Sequence, residues 1–417
     1  MSAKQEAPTA LTVTTRWQGL GAALGLSLSP LVALGFTRFA YALLLPPMQS
    51  EFGWSFTAAG ALNTSNAIGY LAGALLAAWL GQRFGKLQTF TWAMVASALA
   101  LLASAWPSSF ALLLGVRAAG GLATAVAFVL GTSLAAGAMP GRPAAALSIY
   151  FAGSGLGVVL AGTLIPLAHA NGSAIDWRQA WLLMGLVSLL ASALAWHAAR
   201  LSMRQSRASV PGPAVPVWVP LGPSLLANLL YGAGYVGYMT FMIALLKRLG
   251  FATALTMVFF ALIGGASLLA SPLWGRVLGR LPTGRGFALV SAMVAVGTVP
   301  ALIWPAPWAV IASALIFGAS FMAGPAAVSV VAQRLLPGAS LTWGLALLTA
   351  AFSLGQSIGP LLGGWISDAT GSLSAGLWLG PVLLLMGAAS SLKQGATRAA
   401  VVTPAQAPAM DRAGKKP

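Results

Sequence analysis

Apolar residues run along this chain in long blocks, parted by short polar or proline-bearing breaks. A helix of roughly 20 apolar residues crosses the roughly 30 Å of hydrocarbon in a bilayer. By that measure twelve spans are predicted, at 18–46, 57–80, 88–105, 109–138, 144–168, 178–199, 220–246, 253–278, 286–304, 308–334, 341–366 and 373–392. Prolines mark many of the breaks: Pro46 with Pro47, Pro107, Pro140, Pro143, Pro305 and Pro307. The expected class is an all-α membrane protein.

The longest polar connection, HAARLSMRQSRASVPGPAVPVW at 197–218, is basic and proline-rich and separates six spans from six. It divides the chain into a tail at 1–17, a bundle at 18–199, a linker at 200–219, a second bundle at 220–392 and a tail at 393–417. The halves also echo each other. GSGLGVVLAG at 153–162 and GQSIGPLLGG at 355–364 share glycines and a leucine at one spacing: Gly153, Gly157, Leu160 and Gly162 recur as Gly355, Gly359, Leu362 and Gly364. Small residues four apart let helix backbones approach closely in lipid. Their recurrence in the fifth span of each half reads as a duplicated unit.

Composition agrees with lipid as the solvent. Of 417 residues, 58% are hydrophobic and 6% charged, against roughly 25% charged in soluble domains. Forty-nine glycines and 25 prolines fit transmembrane helices, where both are common. No cysteine is present, which excludes disulfides, thiolate metal sites and cysteine nucleophiles. The net charge of +17 lies in short segments between apolar runs, not in a nucleic-acid module. No small-residue cleavage site follows the N-terminal tail, so no removable signal peptide is expected.

Lysine and arginine set the orientation. Alternate segments, beginning with the N-terminal tail and including the C-terminal one, hold 17 of the 22 basic residues, and the opposite loops hold only Arg178, Lys247 and Arg248. Both termini are therefore expected in the cytoplasm, and the protein in the cytoplasmic membrane. The two remaining basic residues, Arg38 and Arg117, fall inside spans.

Six plus six helices about a basic central loop resemble the major facilitator superfamily of secondary transporters. After the second span that family carries a turn of the form G-x-x-x-D-R-x-G-R. AWLGQRFGK at 78–86 matches it at Arg83, Gly85 and Lys86 and departs at Ala78 and at Gln82, where an acid is usual. WGRVLGRLPTGR at 274–285 keeps Arg280, Gly284 and Arg285, with Gly279 in the acidic position. The resemblance makes this turn a gating motif that latches the cytoplasmic side, here weaker or built differently. RAAGGLATA at 117–125 resembles the family's R-x-x-x-G element on the fourth helix. GFTRFAYALLLPPMQSEFGW, with LNTSNAIGYLAGALLAAWLG, is most similar to the YbfB-like branch. The resemblance covers about residues 18–392 and implies alternating access, with helices one, four and seven lining a central cavity.

An arginine keeps its charge under ordinary conditions, and a charge at the bilayer centre costs at least about 2.5–3.5 kcal/mol. Counted from Pro46 and from Ser109, Arg38 and Arg117 lie at one depth, about 12 Å from the outer helix ends at 1.5 Å per residue. The chain's five acidic residues, Glu6, Glu51, Asp176, Asp368 and Asp411, all sit in tails, loops or at a span end. Both arginines must then face water, helix carbonyls or an anionic ligand. A guanidinium grips a carboxylate, sulfonate or phosphate with two hydrogen bonds. For Arg117, and for Arg38 too, a purely structural role, bonding carbonyls in the bundle, stays open.

On span seven, Asn228, Tyr231, Tyr235 and Tyr238 are spaced 3, 4 and 3 and form one helical stripe. Their polar atoms could orient a ligand, or could serve packing. Asn63, Asn66 and Tyr41 are candidates to orient Arg38, and Gln356 joins them as a possible ligand contact. His169 and His197 read as interfacial. With no phosphate-cradling loop, metal cluster or activated nucleophile, no enzyme, cofactor or metal is expected.

The sequence thus favours a transporter of a small organic anion that binds Arg38 and Arg117, as a monomer. No acid lies deep enough for ordinary proton coupling, which leaves uniport, exchange or a proton carried by the substrate; symport through Asp368 or Glu51 stays open. The alternatives are an exporter of drug-like or cationic compounds and a membrane receptor without flux. Many such exporters carry G-x-x-x-G-P-x-x-G-G in span five; Val158 replaces its proline here, while span eleven has the full pattern.

Overall fold

A computed structural model describes residues 10–106, 109–139, 142–167, 176–205, 221–336 and 338–395. His169, most of the linker and the terminal charges, including Glu6 and Asp411, lie outside the described residues, as do Pro107 and Pro140. The described chain is helical throughout, with no strand among its residues. In order come α1 (Ala10–Leu26), α2 (Leu28–Pro30), a π-helical segment (Leu31–Phe39), α3 (Tyr41–Phe52), α4 (Phe56–Phe84), α5 (Lys86–Ala103), α6 (Phe110–Ala138), α7 (Pro143–Leu167) and α8 (Trp177–Gln205). After the linker come α9 (Gly222–Arg248), α10 (Thr253–Leu268), α11 (Ala270–Arg280), α12 (Arg285–Ile303), α13 (Pro307–Phe321), α14 (Ala323–Leu335), α15 (Gly338–Thr370) and α16 (Leu373–Leu392).

Among the described residues ten helices are long and apolar enough to cross a membrane, or eleven when the pair Thr253–Leu268 and Leu273–Arg280, bent by 52°, counts as one span. The expected span that falls outside this count is α4. It has 29 residues, but Asn63, Thr64, Ser65 and Asn66 interrupt its apolar run. One boundary needs correction. The helix carrying Arg38 does not stop at Pro46; both prolines lie inside α3, which runs to Phe52 and ends on Gly53 at φ 65°. That left-handed turn suits glycine, which has no Cβ to clash. The measure of depth taken from Pro46 therefore falls short of the helix end.

Helices α1–α8 pack among themselves, as do α9–α16. Between the two sets, α4 packs on α15, α7 on α10, and α3 on α9. The duplicated glycines account for close packing inside each set. A Cβ on Gly153 would stand 1.9 Å from the Ser27 carbonyl oxygen, and one on Gly157 2.5 Å from that of Leu31. In the second set a Cβ on Gly355 would stand 1.9 Å from the Leu229 oxygen, and one on Gly359 2.1 Å from that of Ala233. Each motif thus presses its helix onto the first span of its own half, backbone to backbone.

Candidate functional site

The first span changes winding where it carries its charge. Leu31–Phe39 is π-helical, and the Ala40 N–H reaches back to the Gly35 carbonyl at 2.9 Å. Thr37 Oγ1 donates to the Val32 carbonyl at 2.9 Å, filling one acceptor of the widened turn. Such turns recur at functional sites because they re-aim side chains.

Arg38 is 3% exposed. Its Nε and Nη2 have no hydrogen-bond partner, and its guanidinium lies 5.4 Å from the centre of the Tyr70 ring. A narrow void, too tight for a water molecule, separates the two sets of helices here. Arg38, Phe39, Ala42 and Asn63 bound it on one side and Val236, Met239 and Thr240 on the other. A buried unpaired donor costs about 1–3 kcal/mol, more when charged. A cation–π contact offsets about 0.5–2 kcal/mol. Arg38 as it stands is short of acceptors.

Arg117 is equally buried at 3% but placed differently. Its Nη1 donates to the Thr37 carbonyl at 2.7 Å. The guanidinium lies 5.0 Å from the Tyr41 ring centre and 5.5 Å from that of Trp181, while Nε and Nη2 lack partners. All these contacts belong to the first set of helices, and Arg117 does not border the void. The arginines are neighbours in the first set, but only Arg38 lines the space between the sets.

Neither arginine meets an acid among the described residues. Glu51 pairs with Arg178 at 2.6 Å, Asp176 accepts from the Arg178 N–H at 2.9 Å, and Asp368 binds the start of α4.

The side chains expected to orient Arg38 are engaged elsewhere. Asn63 Nδ2 donates to Thr240 Oγ1 at 2.6 Å across the void, and its Oδ1 is unpartnered. Asn66 Nδ2 donates to the Arg117 carbonyl at 3.1 Å. The Tyr41 hydroxyl donates to the Ala59 carbonyl at 2.9 Å, and its ring serves Arg117. Tyr70 is the residue that sequence reasoning missed. It lies on the stripe of Asn63 and Asn66, four residues on, which was the available signal.

On α9 the predicted stripe is buried, with its polar atoms used inside the second set. Asn228 Nδ2 donates to the Leu348 carbonyl at 2.7 Å and Tyr231 to that of Phe321 at 2.6 Å. Tyr238 and Ser313 share a hydrogen bond of 2.6 Å. Tyr235 accepts from Gln356 Nε2, stacks on Phe352 and touches Phe321, whose ring edge meets Phe39 of the first set. Of the stripe, Tyr235 is linked to the first set through the Phe321 and Phe39 rings.

At the far end of α4, Gly85 turns the chain at φ 88°. Gln82, Arg83 and Arg280 are exposed, and Lys86 Nζ reaches Ser133 Oγ of its own set at 3.4 Å. Among the described residues none of these crosses to the other set. Arg334, which the motif did not include, donates to the Leu281 and Gly279 carbonyls and so caps the end of α11.

Comparison with known proteins agrees with this architecture. The family described as "Uncharacterised MFS-type transporter YbfB" matches residues 30–392. The MFS-type transporter YtbD of Bacillus subtilis (strain 168) is 26% identical over 362 residues, 85% of this chain and 90% of its own. A chloramphenicol resistance protein of Streptomyces lividans is 27% identical over 371 residues, 84% of this chain and 91% of its own. In fold, a bacterial homologue of the human lysosomal transporter Spinster is similar at a TM-score of 0.69 and 17% identity, covering 90% of this chain and 96% of that one. The chain belongs to the YbfB-type family of major facilitator superfamily transporters.

Proposed function

We propose that this membrane transporter carries a small organic anion by alternating access, with Arg38 as its counter-charge. The observation that carries this is the Arg38 guanidinium, buried between the two sets of helices with Nε and Nη2 unpartnered and no carboxylate beside it. An anion admitted when the two sets part supplies the missing acceptors. Tyr70 backs the guanidinium, and Asn63 and Thr240 bound the void beside it. Arg117 fixes the first span from behind, through Thr37. In this reading twelve spans cross the cytoplasmic membrane, α4 and the bent pair α10–α11 included, with both termini in the cytoplasm. The Ser55 end of α4 then faces outward. There α3 packs on α9 and the start of α4 bonds α15, which fits closure outside.

The test is uptake by purified protein in liposomes. Carboxylates, sulfonates and phosphate esters are expected to be taken up and to raise the thermal midpoint. Indifference to every anion defeats the proposal. One second reading has support: export of drug-like compounds. The Streptomyces lividans relative is named for chloramphenicol resistance, and Phe39, Phe321, Tyr235 and Phe352 build an aromatic wall at the level of Arg38. Flux of lipophilic compounds, without anion flux, in the same liposomes selects it.

A further inference from the structure

One end of α4 is held by the opposite set of helices through an unusual cap. Helix starts leave backbone N–H groups unpaired and carry partial positive charge. A capping side chain ordinarily comes from the residue just before the helix, and Ser55 does accept from the Ala58 N–H at 3.1 Å. A second cap comes from the end of α15, 312 residues away in sequence. Asp368 Oδ1 accepts from the Phe56 N–H at 2.9 Å. Its Oδ2 accepts from the Thr57 N–H at 2.7 Å and from Thr57 Oγ1 at 2.5 Å. These are charge-assisted bonds, stronger than neutral ones.

The surrounding packing tightens the same joint. Phe56 meets Phe241 of α9 edge-on at 5.9 Å and lies under the Arg248 guanidinium, 4.6 Å from its ring centre. A Cβ on Gly364 would stand 2.3 Å from the Phe56 oxygen, and one on Gly60 2.4 Å from that of Pro360. One helical turn further in, Thr64 Oγ1 donates to the Ser357 carbonyl at 2.5 Å and Asn63 to Thr240. Among the described residues every hydrogen bond from α4 to the other set starts within residues 56–64. The Gly85 end, with Gln82, Arg83 and Lys86, sends none across.

We infer that Asp368 is the latch of the Ser55 face: its carboxylate must leave the start of α4 before the two sets can part there. The first three turns of α4 then link latch and binding site, since the series from Asp368 ends at the Asn63–Thr240 bond on the wall of the Arg38 void. Asp368 is exposed, so water can replace α4 as its donor when the face opens. A buried carboxylate could not be released so readily. With no matching acid at the Gly85 end, the resting equilibrium lies toward closure of the Ser55 face. This inference rests on alternating access, not on the charge of the substrate.

The chain has no cysteine, so spin labels can be placed at will. Gln179 and Ala252 are exposed at that face, on opposite sets. Distances between labels at Q179C and A252C are measured by electron–electron double resonance on the full chain in lipid nanodiscs, without ligand. A dominant short-distance population is expected. D368A should raise the ratio of long to short distances about tenfold, equivalent to about 1.4 kcal/mol. T57V, which loses only the hydroxyl bond, should raise it about threefold, and D368N should fall between. T57V and D368N keep the test decisive where D368A does not fold. Unchanged distributions in the folded variants overturn the latch. Shifted distances in a protein that takes up no anion leave the latch standing and remove the anion proposal.

Discussion

Arg38 and Arg117 make a controlled comparison within one molecule. Both are 3% exposed, both leave Nε and Nη2 unpartnered, and both lie over tyrosine rings. They differ in what is on the other side. Arg117 donates to the Thr37 carbonyl and lies near two aromatic rings, Tyr41 and Trp181, within one set of helices. Arg38 borders a void that the other set completes. The same buried charge therefore has a mechanical use in one place and an unfilled valence in the other. The proposed site rests on that difference in surroundings, because the unpartnered atoms themselves are the same in both arginines.

The largest effect that would break this contrast is on binding. Arg38→Ala is expected to weaken anion binding about 100-fold, equivalent to about 2.7 kcal/mol, and to abolish flux in liposomes. The thermal midpoint without ligand should hold or rise, because an uncompensated charge leaves the interior. Normal uptake by Arg38→Ala would remove the residue from the site. Arg117→Ala should do the reverse. Loss of the Thr37 bond and a cavity beside Trp181 are expected to cost about 2–4 kcal/mol of stability, read in thermal unfolding, with anion affinity of the folded protein changed less than about threefold. Were the two phenotypes exchanged, the assignments of the arginines would exchange with them.

Smaller substitutions sharpen the distinction. Arg38→Lys keeps the charge and loses the planar fork; about tenfold weaker binding is expected, measured by titration calorimetry. Tyr70→Leu removes the ring face under the guanidinium, worth about 0.5–1 kcal/mol, so about threefold weaker binding is expected. Tyr70→Phe should restore it, and equal affinities for the two variants would deny the ring its part.

The sequence carried the lipid solvent, most span limits and the two arginines, because those depend on local composition. The third and ninth spans, expected at 88–105 and 286–304, appear as Lys86–Ala103 and Arg285–Ile303. Pairing across helices was less legible. Periodicity puts Asn228, Tyr231, Tyr235 and Tyr238 on one face, yet does not say which neighbour that face meets. All four bond within the second set, and Tyr235 is linked to Phe39, beside Arg38, only through the Phe321 ring. Tyr41 seemed the natural partner of Arg38 at one turn's distance, but its ring lies against Arg117 and its hydroxyl bonds the Ala59 carbonyl. Asp368 reads as a loop-end acid until the fold brings residues 56 and 57 beside it. Pro46 and Pro47 misled in the other direction: an N–H lost inside a long helix is tolerated when the turns around it are well packed.

The winding of Leu31–Phe39 has a last consequence. A π turn carries one residue more than an α turn, so rewinding this segment to ordinary pitch shifts the register of everything beyond it by one position. One position is about 100° of rotation and 1.5 Å of travel. Arg38 lies inside that segment, so the direction in which its guanidinium points depends on the winding as well as on the rotamer. Its bearing is stored in the twist of its own backbone.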